Sequence, residues 1–109
     1  MRGKRLDPLL LEISSILRLS ATSREILHLL MRTKKKLSVA DIRSRIHRSE
    51  RAVRMELGKL SKSGLIERGL HRTRHGRIAC YYSMLHVQDL VKSTRKAVLR
   101  RLSRLKRHL

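Results

Sequence analysis

Apolar residues recur at helical spacing along most of the chain, and the pattern changes to a strand-like one over a single stretch. Leu9, Leu10, Ile13, Ile16 and Leu17 fall three and four apart, which predicts a first helix running to about Leu19. Asp7 before Pro8 is its start signal: proline is preset for the first helical turn, and aspartate favours the positive end of the helix dipole. Thr22 with Glu25 three residues on reads as a capping box, and Ile26, Leu27, Leu29, Leu30 and Met31 supply the apolar face of a second helix. The run Lys34, Lys35, Lys36 ends that helix. Leu37 reads as a short strand residue. Ser38 then caps a short helix carrying Val39, Ile42 and Ile46, with Asp41 in its first turn.

A turn at His47 and Arg48 leads to the next cap, Ser49. From there Val53, Leu57 and Leu60 repeat at four and three, and Gly64 stands where a left-handed residue is wanted after a helix. Two short helices across a tight turn are the sequence form of a helix-turn-helix. The segment from Leu65 to Leu70 reads as a strand, and Ile78 to Met84, rich in β-formers, as a second. Between them lies a basic tip containing Gly76, so the pair predicts a hairpin. From about His86 to Leu109 no glycine or proline interrupts a helical pattern. Heptad positions a then fall on Gln88, Arg95, Leu102 and Leu109, and positions d on Val91, Val98 and Leu105, a half-filled seam that improves toward the C-terminus. The expected fold class is mainly α with a small β-hairpin (α+β).

Composition narrows what such a domain does. Within 109 residues, 28 Lys and Arg face 8 Asp and Glu, a net charge of +20 that calls for a polyanionic partner. Hydrophobic residues make up 40% of the chain, enough for a core, yet aromatics are 2%, so that core must be aliphatic. With no Trp or Phe, and with Tyr81 and Tyr82 alone, base stacking is poorly supported, and groove and phosphate recognition fits better. A single Cys80 excludes an internal disulfide framework and agrees with a reducing, cytoplasmic setting, here nucleoid-associated. No apolar run approaches the ~18 residues of a membrane span, and the leucines after Pro8 meet Glu12 too soon for a signal peptide.

The order helix, helix, short helix, turn, helix, hairpin, long helix, with Leu37-Ser38-Val39-Ala40-Asp41-Ile42, Ser49-Glu50-Arg51-Ala52-Val53-Arg54 and Gly64-Leu65-Ile66-Glu67-Arg68, resembles the winged helix-turn-helix transcriptional regulators of the MarR, ArsR and TrmB kind, above all their small archaeal members. The resemblance covers roughly Thr22 to Met84, and the flanking helices by architecture alone. It implies a homodimer that places the second helix of each motif in a major groove and the hairpin, or wing, along the backbone or a minor groove of double-stranded DNA. On this division residues 1–21 are an N-terminal helix supporting the dimer, 22–84 the DNA-binding domain, and 85–109 a basic dimerisation helix. No cofactor is implied.

If Val53, Leu57 and Leu60 face the core, then Glu50, Arg51, Arg54 and Met55 lie mostly opposite, near the end of the helix that enters a groove. Arg51 and Arg54 suit bidentate contact with guanine, worth ~1–3 kcal/mol of discrimination each. Glu50 can accept from cytosine or simply pair with Arg54 four residues on. Gly58, unfavourable in a helix interior, points to close packing or close backbone approach. Lys59 and Lys62 suit phosphate, as do Arg48 and the cap hydroxyls of Ser38 and Ser49. In the wing, Arg72, Arg74, His75 and Arg77 suit a narrow minor groove or its phosphates. The dimer seam is expected from Leu9, Ile13 and Ile16 with Val91, Val98, Leu102, Leu105 and Leu109, against packing of the last helix on its own subunit.

Other chemistries are weaker. His71 and His75, four apart near Cys80 and His86, have helical ligand spacing but fall on a hairpin, and no second cysteine or close carboxylate completes a zinc site. Cys80 is expected to be a small buried hydrophobe and His28 a satisfied histidine at the core edge. The eight acidic residues are scattered, so no close pair is set up to hold magnesium or share acid–base work, and no enzyme is expected. Two competing readings stay open: weakly specific, chromatin-like coating of DNA, and a structural RNA-binding component such as a ribosomal winged-helix protein.

Overall fold

The computed structural model describes residues 8–108. Helix α1 (Pro8–Leu17) begins at its proline, and both Asp7 and Leu109 lie outside the described residues. It stops two residues before its apolar spacing predicts, because Arg18 turns left-handed at φ 55°. The Leu19 N–H donates to the Ser14 carbonyl (2.9 Å) and the Arg18 N–H to that of Ser15 (3.2 Å), the paired bonds of a Schellman stop, usually built on glycine. The next carbonyls, Ile16 and Leu17, accept from the Arg101 guanidinium at 3.4 and 3.1 Å, which puts a cation at the negative end of the helix dipole.

Helix α2 (Ala21–Thr33) is capped by Ser20 rather than Thr22: the Ser23 N–H donates to Ser20 Oγ at 3.1 Å, so the expected Thr22–Glu25 box falls inside the helix. The lysine run ends it as predicted, with Lys34 left-handed. Helix α3 (Val39–Arg43) carries a full capping box, Ser38 and Asp41 bonding each other's backbone at 3.1 and 3.0 Å. It is shorter than expected, and Ile46 packs from the turn that follows. Ser49 caps α4 (Glu50–Lys62), and Gly64 adopts φ 75° just beyond it. A side chain at Gly64 would also meet Ser93 Oγ at 3.2 Å, so this stop is fixed by backbone and neighbour together.

Strands β1 (Ile66–Arg72) and β2 (Ile78–Met84) form an antiparallel hairpin in the register Ile66↔Met84 to Arg72↔Ile78. Leu37 bonds Tyr82 in both directions (2.9 and 2.8 Å), which ties the hairpin base to the start of α3. Helix α5 (Val87–Leu105) ends in a 3₁₀ turn, Lys106–His108. The fold is thus mainly α with a two-stranded hairpin: a winged helix-turn-helix with a long C-terminal helix.

One aliphatic core joins Leu10, Ile13 and Leu17 of α1 to Ile26, Leu27 and Leu30 of α2, Ile42, Val53, Leu57 and Leu60 of the helix-turn-helix, and Leu90 of α5. Ile13, 3% exposed, belongs to this core and also lines the floor of the groove between α1 and α5, so it offers a partner little surface of its own. Leu9 is half-buried against the same cluster. The Cα radius of gyration is 15.2 Å, against roughly 13 Å for a compact chain of this length. The last turns of α5 run clear of the core, with Leu99, Leu102 and Leu105 more than half exposed.

Candidate nucleic-acid interface

The α4 helix divides as its periodicity predicts. Val53 and Leu57 are fully buried and Leu60 nearly so, which turns Arg51, Met55, Gly58 and Lys62 outward as one stripe, at successive offsets of four, three and four. Arg51 is exposed and makes no hydrogen bond or ion pair among the described residues. Met55 is 52% exposed. Nothing among the described residues lies within 4 Å of a Cβ placed at Gly58, so the close packing expected of it is not made by them, and the backbone there is open from outside. Arg54 flanks this stripe, its Nε bonded to Glu50 Oε2 at 2.8 Å, while Glu50 Oε1 accepts from Arg43 at 3.2 Å. Glu50 thus makes the pairing with Arg54 that its four-residue spacing allows. The Arg54 guanidinium, with Arg43 beside it, holds its carboxyl below the usual carboxylate range.

Two expected phosphate donors are already engaged. Arg48 grips Glu25 through Nε and a terminal nitrogen (3.1 and 2.8 Å), which stabilises the charge on both partners. Lys59 sits 3.5 Å from Glu56 Oε2. The hydroxyl oxygens of Ser38 and Ser49 both accept cap bonds, from Asp41 and Ala52, leaving each its O–H to donate. Lys62 is exposed without a partner among the described residues.

Glu56 is the residue that pattern reading missed. It is 7% exposed on the core side of α4, where Oε1 accepts from Ser23 Oγ (2.7 Å) and Ser20 Oγ (3.0 Å). Hydrogen bonding from Ser23 foremost lowers its carboxyl pKa against the opposing effect of burial. The signal was present: Glu56 stands three residues after Val53 and four before Leu60, on the apolar stripe. Glu56 thus ties α4 to the N-terminal turn of α2.

The wing tip is braced by Thr73. Its N–H donates to the Arg77 carbonyl (2.6 Å), its Oγ1 accepts from the Arg77 N–H (3.1 Å), and its carbonyl accepts from the Gly76 N–H (3.0 Å), with Gly76 at φ 80°. Arg74, His75 and Arg77 stand exposed around this turn, and Arg72 reaches the Gly76 carbonyl at 3.4 Å. Cys80 departs from expectation: it is half-buried, and its Sγ accepts from Arg68 Nε at 3.1 Å. His28 is also not satisfied as expected, since its Nε2 is buried without a partner among the described residues. Among those residues no three His, Cys, Asp or Glu stand close enough to hold a metal ion, and no helix is long and apolar enough to cross a membrane.

A second surface lies where α1 meets α5. Leu9, Ile16, Val91, Val98 and Leu99 line an apolar groove with Glu12 and Arg95 among its borders. Ile16 and Val91 are about half exposed, at 49% and 48%, whereas Val98 packs partly on its own core. Leu99, which the heptad frame leaves off the seam, is 51% exposed beside it.

No protein-family model matches the sequence, and no match to it is found among curated proteins. The fold is similar to a solved structure described as a possible transcriptional regulator from Methanosarcina mazei Go1, with a TM-score of 0.70 over 88% of this chain and 81% of that one. The two share 13% sequence identity, so what they have in common is the fold.

Proposed function

We propose that the protein is a homodimeric transcriptional regulator that binds double-stranded DNA with sequence preference, placing α4 in the major groove and the wing on the minor groove or backbone. The observation that carries this reading is the outward stripe of α4: an Arg51 with no partner among the described residues, an exposed Met55 and a bare Gly58 backbone, flanked by Arg54 and followed in the chain by a basic wing. Guanidinium groups at the N-terminal end of such a helix reach guanine edges, and a glycine in its middle lets the backbone approach closely. The apolar α1–α5 groove and the uncovered Leu102 and Leu105 support pairing of two copies, which would present two α4 helices to two half-sites. The possible-regulator description of the Methanosarcina protein agrees with this reading.

One observation favours a broader DNA-coating role beside it. From Lys92 to His108 the chain carries Lys and Arg without a single acidic residue, more charge than two groove contacts need. The two roles separate in one experiment: duplexes selected from a random pool are competed against unselected duplex and structured RNA at one fixed salt concentration. A regulator prefers its selected site by about 10³ or more. A ratio near one favours coating, and preference for the RNA overturns the DNA reading.

A further inference from the structure

Leu70 and Ile78, at 61% and 67%, are the most exposed large hydrophobic side chains among the described residues. The hairpin register puts both on one face: Leu70 pairs with Cys80 and Ile78 with Arg72, so the two are diagonal neighbours across the strands. At the base of the hairpin this same face is buried, with Ile66 4% exposed and Tyr82 and Met84 packed on the core. The alternation that buries the base continues past the edge of the domain and leaves an apolar pair in water at the tip.

Charge identifies the occupant. Arg68 and Arg72 share the face with Leu70 and Ile78, Arg74 and Arg77 stand in the turn, and no acidic residue occurs between Glu67 and Asp89. A second copy of this wing would set its own arginines against these cations, whereas a polyphosphate duplex complements them. We propose that Leu70 and Ile78 form a wedge that enters the minor groove between base pairs and bends the DNA, an activity that rests on the duplex-binding reading above. The arginines around them anchor to the flanking phosphates, where a narrow groove is most negative. The three hydrogen bonds through Thr73 keep the tip stiff enough to transmit the bend. Leucine and isoleucine inserted this way open a base step and kink the duplex by about 20–90°. Pyrimidine–purine steps unstack most easily, so they mark the wedge position in preferred sites.

The test uses the full chain and a selected duplex of about 30 base pairs, labelled at its two ends for resonance energy transfer. Binding of the wild type shortens the end-to-end distance. The double variant Leu70→Ser, Ile78→Ser keeps its circular dichroism and thermal melt, binds within about tenfold of wild type, and leaves the duplex straight. Arg54→Ala binds more weakly, yet its saturated complex is as bent as that of the wild type. Wild-type binding without shortening, or shortening by the double variant equal to wild type, overturns the wedge and leaves duplex binding standing. Conversion of a dimer to a monomer by the double substitution, seen by sedimentation without DNA, assigns the pair to a contact between copies and also overturns it. Failure of the wild type to bind any duplex removes both readings, a result separated from the others by the binding curve itself.

Discussion

Glu56→Ala is expected to destabilise the fold more than any substitution on the outward face of α4. In the native chain one carboxylate oxygen accepts from Ser23 at 2.7 Å and from Ser20 at 3.0 Å, and Ser23 is 2% exposed. Hydrogen bonds to a charged group contribute ~1.5–3 kcal/mol each, and a buried hydroxyl left without its partner costs ~1–3 kcal/mol. Because the two bonds share one oxygen and Ser20 is exposed, the combined loss is about 2–4 kcal/mol. The Lys59 pair adds little, since its side chain is 67% exposed. At this chain length the loss corresponds to a fall in Tm of roughly 10–20 °C. Glu56→Gln keeps an acceptor and loses the charge, so its fall is smaller. The pH dependence has a definite sign. The folded carboxyl pKa lies below its ordinary 4.5, so this stabilisation is present above that pH and disappears as pH falls through the folded value. Thermal melts followed by circular dichroism at one protein concentration, at pH 7 and in steps below pH 4.5, measure both effects; the concentration is fixed because dimerisation would itself move Tm. A Glu56→Ala melt within a degree or two of wild type, or a gap that does not narrow in acid, refutes the reasoning.

Three further outcomes follow from the same geometry. Arg51→Ala lowers affinity for a selected site about tenfold or more and changes random-DNA binding much less, with a smaller loss for Arg54→Ala because Arg54 must first release Glu50; equal loss on all sequences removes both from base reading. Gly58→Ala stabilises the free protein by about 0.5–1 kcal/mol, since the position is helical, exposed and unobstructed, while weakening binding to the selected site; a lowered Tm contradicts the first half, and unchanged binding the second. Leu102→Glu places a carboxylate on the uncovered end of α5 and yields monomers by sedimentation, with its melting at low concentration little changed; an unchanged dimer mass puts the interface elsewhere.

What sequence could and could not reveal follows from the range of the forces involved. Ser38, Ser49 and Gly64 act on their own backbone neighbours, so both starts of the helix-turn-helix and the end of its second helix were legible, whereas α3 stops three residues short of Ile46. The hairpin was legible for the same reason, from β-forming runs around a glycine turn. The starts and stops that were misplaced depend on distant partners. Ser20 caps α2 in the place expected for Thr22 while also donating to Glu56, 36 residues away. Arg18 gives no local sign of a left-handed stop, and the carbonyls exposed there are met by Arg101, more than 80 residues on. Charges behave alike: counting them pointed to an anionic partner, but which cations remain available depended on Glu25 and Glu50, which hold Arg48 and Arg54. The heptad frame in α5 could not separate residues that pack on α1 from those left open, hence Val98 lies partly on the chain's own core while Leu99, off the frame, is exposed beside it.

On the proposed reading, α4 enters a major groove while the wing follows the adjoining minor groove or backbone. This placement is tested most directly by cleavage from a tethered iron chelate. In a Cys80→Ser background, one chelate is attached through Met55→Cys on the outward stripe and another through Arg74→Cys at the wing tip, each bound to a selected, end-labelled duplex. Position 55 is expected to give localised cuts with the strand offset of a major-groove source, and position 74 cuts centred on an adjacent minor groove. Diffuse cutting from position 55, or cutting from it with a minor-groove offset, would show that α4 does not enter the major groove.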